Sequence, residues 1–152
     1  MAFHHYKAAG GVVIQQGIID GLDAAQNYVL VLDRPGRNEV RLPKGHIDPG
    51  ENPQETAVRE TQEETGFVDL LVLADLGERQ VEFDYRDKHY IRDEHYFLMK
   101  LTSPRRIKRP AQDEAQFRPR WSRLGEAAAA LTYTAEQQVV AAAVEKYLSQ
   151  GK

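Results

Sequence analysis

Between residues 45 and 67 the chain reads GHIDPGENPQETAVRETQEETGF. Glu51, Glu55, Glu60, Glu63 and Glu64 crowd into this stretch, with Arg59 among them and Gly45 and Gly66 near its ends. Carboxylate oxygens gathered this densely are hard donors of the kind Mg²⁺ or Mn²⁺ prefers, and these ions usually bridge to substrate phosphates rather than sit in an all-protein cage. The chemistry implied is attack on a phosphate group, with Mg²⁺ as cofactor and Mn²⁺ as the alternative. A merely solvated acidic helix face is the competing reading. Arg59 and the glycines, at their fixed offsets, argue against it.

The carboxylates need a helix to share a face. Asn52 followed by Pro53 is a start signal, because Asn caps free N–H groups and Pro fits the first turn. Glu55, three residues after the cap, can complete a capping box, and Gly66 is the natural stop. The spacing predicts a helix over 53–65. On it Glu60 stands three residues from Glu63 and four from Glu64, so like charges meet and destabilise the helix unless something offsets them.

The full spacing, G-x5-E-x7-R-E-x-x-E-E-x-G, resembles the Nudix box, the signature of hydrolases that cut diphosphate bonds in nucleoside diphosphates linked to another moiety. The resemblance covers nearly the whole length. It implies an α/β/α sandwich with a mixed β-sheet, formed as one domain over residues 1–152. It also implies Glu63 and Glu64 as metal ligands, Glu60 as ligand or general base, and the backbone carbonyl of Lys44 as a further ligand. Glu51 and Arg59 match the pair that ties loop to helix, and Gly45 and Gly66 the structural glycines. Thr61 departs from the pattern, which usually has Ile, Leu or Val there, and Phe67 replaces an aliphatic residue.

The entry Leu42-Pro43-Lys44-Gly45 and the run RETQEE are similar to the asymmetrical dinucleoside tetraphosphate hydrolases, which release a nucleoside triphosphate and a monophosphate. Diphosphoinositol polyphosphate hydrolases share that entry, and the run Arg105-Arg106-Ile107-Lys108-Arg109 has the cations such a substrate needs. Other nucleoside triphosphate or nucleotide-sugar pyrophosphatases also remain open. A non-catalytic nucleotide sensor is disfavoured, since no glutamate of the box is missing. Asp113 to Phe117, ahead of Trp121, resembles the family's histidine-glutamate segment. That makes Glu114 a candidate ligand or base, with Glu94 as the other.

A polyphosphate brings several negative charges and an aromatic base. Arg41, Lys44, Arg79 and Lys88 are placed to clamp phosphates, and His46 lies inside the metal loop. Tyr85, Tyr90 and Tyr96 are candidate rings for the base, a contact worth about 1–3 kcal/mol in nucleic-acid binders. His4 and His5 read as an ordinary flexible terminus.

Composition narrows the class. Absence of cysteine excludes disulfides and thiolate metal sites and fits the cytoplasm. No apolar run is long enough for a membrane span. A net charge of −3 argues against nucleic acid as a partner. The expected partner is a small nucleotide polyphosphate, bound by a monomer or homodimer. Strands are expected over 8–16, 28–33, 39–42, 70–76, 78–83 and 94–101, with a hairpin excursion over 17–26 and a basic loop over 104–110. Helices are expected over 122–131 and 135–149, the second with Val139, Val140, Ala143, Val144, Tyr147 and Leu148 as its apolar stripe.

Overall fold

A computed structural model describes residues 3–150. The apolar runs become strands covered on both sides, which is why they read as continuous rather than alternating. In β1 (Phe3–Gln16), Val12 and Ile14 face one layer while Ala9 and Val13 face the other. β2 (Asn27–Arg34) divides Val29 and Val31 from Leu30 in the same way. β6 (Lys88–Leu101) divides Leu98 from Phe97 and Met99. This is the period-two alternation of strands.

β1 is the axis of the mixed sheet. Its residues Phe3 to Val13 run parallel to β6, Ala8 to Gly10 pair antiparallel with β4 (Lys44–His46), and Ile14 to Gln16 pair antiparallel with β2. β3 (Glu39–Arg41) and β5 (Leu70–Tyr85) are the ends of the path β3-β2-β1-β6-β5. β7 (Arg118–Arg123) pairs with β2. Helix α1 (Pro53–Thr65) covers one face through Ala57. The opposite face carries α3 (Ala127–Ala130) and α4 (Thr134–Gln150), through Ala127, Val139, Val140 and Ala143. A short helix, α2 (Ala111–Gln116), precedes β7.

Several elements differ from the sequence expectation. The strands expected at 70–76 and 78–83 are one strand, β5, with register shifts between Val72 and Ala74 and between Asp75 and Glu78. Gly77, at φ 86°, permits the second shift. The helix expected over 122–131 is confined to the four alanines 127–130. Upstream, Pro119 and Trp121 alternate with exposed Arg118 and Arg120, and the strand they form pairs with β2. Leu148, expected in the apolar stripe of α4, is 51% exposed. His4 and His5, expected in a loose terminus, lie in β1 opposite Tyr90 and Ile91.

Thr61 explains itself by packing. It is fully buried where α1 crosses β1, and a Cβ on Gly11 would stand 2.6 Å from its Oγ1. The hydroxyl has no hydrogen-bond partner among the described residues. A buried polar group without a partner is destabilising. Thr61→Val keeps the branched shape and removes that group, so stability should rise by about 1 kcal/mol. Urea unfolding with an unchanged slope would measure it; a loss of stability would mean the hydroxyl is satisfied.

Candidate active site

Helix α1 begins and ends as its sequence dictates. Asn52 Oδ1 accepts from Glu55 N at 2.8 Å while Glu55 Oε1 accepts from Asn52 N at 3.0 Å, a complete capping box. Gly66 closes the helix at φ 84° with its N–H on Gln62 O. Between these ends Glu60, Glu63 and Glu64 crowd one side, and two arginines answer them.

Arg59 is the larger tie. It donates to Glu51 through Nε at 2.8 Å and through its terminal nitrogen at 3.0 Å, and to Glu60 at 2.9 Å. Glu63 lies at 3.3 Å and Asp48 at 3.2 Å. This fork binds the loop of residues 46–51 to the helix. Gly45 leaves room on the facing strand for the Glu60 carboxylate in this position: a Cβ there would stand 2.1 Å from the Glu60 carboxyl carbon and push that side chain away.

Arg41 is the second tie. It donates to both oxygens of Glu64 at 3.2 and 3.3 Å and to the Lys44 carbonyl at 2.9 Å, while its guanidinium lies 4.8 Å over the Phe117 ring. Glu64 also accepts from Lys44 N at 2.8 Å.

Burial sets the acidity of the cluster. Glu64 is 5% exposed, and desolvation lifts its carboxyl to about 7, with Glu60 and Asp113 adding to the rise against Arg41 and the Lys44 N–H. Desolvation likewise raises Glu60, against the pull of Arg59 and with the help of Glu63 and Asp113. Asp113 is raised by desolvation and by Glu63. Its Oδ2 is buried and has no partner among the described residues.

The expected residue Glu114 does not join the cluster. It is exposed on α2, and the adjoining Asp113 lies beside Glu60, Glu63 and Glu64 in a hollow of about 550 Å³. The one-residue difference follows from α2, which turns successive side chains about 100° apart. Glu94, the other candidate, is 2% exposed and accepts from Arg92 Nε at 2.6 Å and Tyr96 OH at 3.0 Å.

No three His, Asp or Glu side chains among the described residues converge as the ligands of one metal ion. The carboxylates are paired with Arg41 and Arg59 instead. The donor set nevertheless fits a hard divalent cation. Every donor is an oxygen, one of them is buried and unpartnered, and the carboxylates raise one another's proton affinity in a way that a cation would relieve.

A cleft of about 1030 Å³ continues from this hollow, the two sharing Tyr6, Arg34, Arg41, Lys44, His46 and Arg92. Tyr85 lines it, with the Arg37 guanidinium 5.7 Å from its ring. Tyr90 stacks on Phe83 at 5.1 Å and on His4 at 5.2 Å, and His46 packs on Tyr6 at 4.3 Å.

Three sequence candidates lie elsewhere. Tyr96 is 1% exposed in the core, so its ring cannot receive a base. Arg79 donates to Gln138 of α4 at 3.3 Å and lines neither hollow nor cleft, and Lys88 is exposed at the β5–β6 turn. The Lys44 ammonium is also turned inward, onto Glu136. Sequence reading missed Tyr6, Arg34, Arg37, Phe83, Arg92, Asp113 and Glu136. The long-range pairing that gathers most of them leaves no local signal.

A family profile for the NUDIX domain matches residues 13–143. The chain belongs to the Nudix hydrolase family. A Mycobacterium tuberculosis protein named MutT4 is 41% identical over 99 residues, covering 64% of this chain and 39% of that protein. The asymmetrical bis(5'-nucleosyl)-tetraphosphatase of Rattus norvegicus is 36% identical over 84 residues, covering 54% and 57%. This chain therefore matches well under two thirds of the length of either relative. A C. elegans Ap4A hydrolase binary complex superposes with a TM-score of 0.71 at 23% identity over 95% of this chain and 98% of that one, a likeness of fold. The mixed sheet between helical layers is the Nudix fold.

The Arg59 tie makes acid sensitivity measurable. Hydrogen bonds from Arg59 hold the Glu51 carboxyl down to about 2, against an ordinary 4.5. A depressed carboxyl contributes stability above its unfolded value and loses it as pH falls through the folded one. Between pH 4.5 and 2 the wild type should therefore lose stability more steeply than Glu51→Gln. Thermal melts across that window would show it, and parallel curves would refute the pairing.

Proposed function

We propose that this chain acts as one Nudix domain that hydrolyses a phosphoanhydride bond with the help of a divalent metal. Its best-supported substrate is a dinucleoside tetraphosphate, cut to a nucleoside triphosphate and a monophosphate. One observation carries the reading: Glu60, Glu63, Glu64 and Asp113 line a hollow that opens into a cleft edged by arginines and aromatic rings. The relatedness to the rat asymmetrical tetraphosphatase supports the substrate class.

Glu63, Glu64, Asp113, Glu60 and the Lys44 carbonyl are the groups that would hold Mg²⁺, with Mn²⁺ as the alternative. Such an ion, when bound, neutralises phosphate charge and makes water more acidic. Arg34, Arg37, Arg41 and Arg92 supply fixed positive charge for the remaining phosphates, which phosphoryl transfer depends on. Glu60 is the favoured base, since it lines the hollow beside Glu63, Glu64 and Asp113 and burial raises its proton affinity. It takes a proton from water as the oxygen attacks phosphorus, and the bridging P–O bond breaks toward the triphosphate. Tyr6, Tyr85, Phe83 and Tyr90 form the aromatic wall for a base. His46, exposed at the mouth of the loop, is a further phosphate contact.

The inositol reading draws no support from the basic run. Arg105 pairs with Asp69 at 3.1 Å, Arg106 donates to Thr65 O at 3.0 Å, and Arg109 donates to Glu64 O at 3.3 Å and Phe117 O at 2.8 Å. Arg106 and Arg109 cap the carbonyl end of α1, where the helix dipole favours them, and Arg105 is held by Asp69.

Hydrolysis of diadenosine tetraphosphate in oxygen-18 water tests the assignment. Label should appear only in the monophosphate; two diphosphates, or no Mg²⁺- or Mn²⁺-dependent turnover on any nucleotide polyphosphate, would overturn it. Among variants, Glu63→Gln should abolish nearly all turnover while the fold holds, because Glu63 is 39% exposed and its loss leaves no buried gap. Asp113→Asn should lose far more turnover than Glu114→Gln. The reverse order would return the role to Glu114.

A further inference from the structure

The segment that presents the Lys44 peptide to Glu64 has its outer edge closed by the start of α4. β3 is the end strand of its path. Val40 N donates to Thr132 Oγ1 at 2.8 Å, and Thr132 N donates to Val40 O at 3.0 Å. Beyond β3, Leu42 N donates to Glu136 Oε1 at 2.7 Å, and the Lys44 ammonium donates to the other oxygen, Oε2. Between them, Pro43 O accepts from Gly11 N at 3.1 Å. Glu136 is 1% exposed, and both of its oxygens are thus committed to residues 42 and 44.

Glu94 backs this arrangement, with an oxygen 3.8 Å from the Lys44 ammonium. The lysine is 7% exposed, so its charge is answered inside the protein rather than by a phosphate. What Lys44 presents to the cluster is backbone: its N–H on Glu64 and its carbonyl, which accepts from Arg41.

We propose that Glu136 is a positioning residue for the cation site on α1, acting from the far side of the sheet. By gripping Leu42 N and the Lys44 side chain at once, it fixes the rotation of the strap about Pro43. That rotation sets where the Lys44 N–H and carbonyl point. The inference rests on the reading of Glu64 and the Lys44 carbonyl as cation-holding groups. Only a carboxylate serves both partners: a glutamine could accept from Leu42 N but would turn an NH₂ donor toward the ammonium. Removing the lysine charge as well takes that conflict away.

Mn²⁺ titration followed by electron paramagnetic resonance tests this, together with amide hydrogen exchange of the metal-free protein. Glu136→Gln should weaken Mn²⁺ binding by about tenfold or more, the usual effect of losing a group that orients a ligand. Exchange of the Lys44 amide should quicken. Lys44→Met combined with Glu136→Gln should recover stability, because no buried ammonium is left unanswered, but not Mn²⁺ affinity, because the grip on residue 44 is still missing; a merely stabilising role would recover both. Glu136→Asp keeps the charge but cannot reach both partners. It carries the same test if the glutamine variant fails to fold, weakened Mn²⁺ binding being the expected result and wild-type affinity the contrary one. Wild-type Mn²⁺ affinity in Glu136→Gln, or a double variant that regains wild-type Mn²⁺ affinity, would overturn the inference alone. A wild-type protein that binds no Mn²⁺ would overturn the cation site and this inference together.

Discussion

Three carboxylates on one side of a 13-residue helix, Glu60 and Glu64 largely buried and Glu63 partly exposed, repel one another, and the rest of the site is arranged around that repulsion. In bulk water two unit charges about 4 Å apart interact by only about 1 kcal/mol, but near a protein surface the figure is about 4 kcal/mol. Glu60 and Glu64 show the effect as raised proton affinity, with burial the larger cause and their acidic neighbours adding to it. Arg59 answers from the helix itself, tied to Glu51 of the loop, and Arg41 from the strand side. The capping box, Gly45 and the strap at residues 42–44 all serve to keep those arginines and carboxylates in register.

A second charged cluster lies beneath the first. Lys44, Glu94, Glu136, Arg92 and Tyr96 form a buried set whose members answer one another. Buried ion pairs often add little net stability, because desolvation consumes most of the attraction. Their use here is geometric. They connect β6, α4 and the strap, so the cleft floor and the helix face are set by the same residues. Arg92 also donates to Tyr6 OH at 3.1 Å, which carries the network up to the aromatic wall.

What could be read from the sequence was local chemistry. The ends of α1 follow from Asn52, Pro53, Glu55 and Gly66, all within one turn of the groups they cap, and they stand where the sequence put them. The core strands were legible because they are apolar on both faces. The helix expected over 122–131 shrinks to its alanines because Ser122 and Arg123 continue the strand that pairs with β2, a partner nearly a hundred residues away. By type and position Lys44, Tyr96 and Arg79 suit the substrate, yet partners 59 to 92 residues away, or the core itself, hold them. Glu114 and Asp113 differ by one position on a helix of six residues that carries no cap signal in its sequence.

The helical carboxylates, Asp113 and the Lys44 peptide are taken to be one cation site, and paramagnetic broadening by Mn²⁺ maps such a site directly. Substoichiometric Mn²⁺ added to the isotopically labelled protein should broaden first the amides of Gly45, Glu60 to Glu64 and Asp113. Those of Arg79 and Lys88, which stand outside the hollow, should stay sharp. Broadening centred elsewhere, or spread evenly over the acidic surface, would contradict the account.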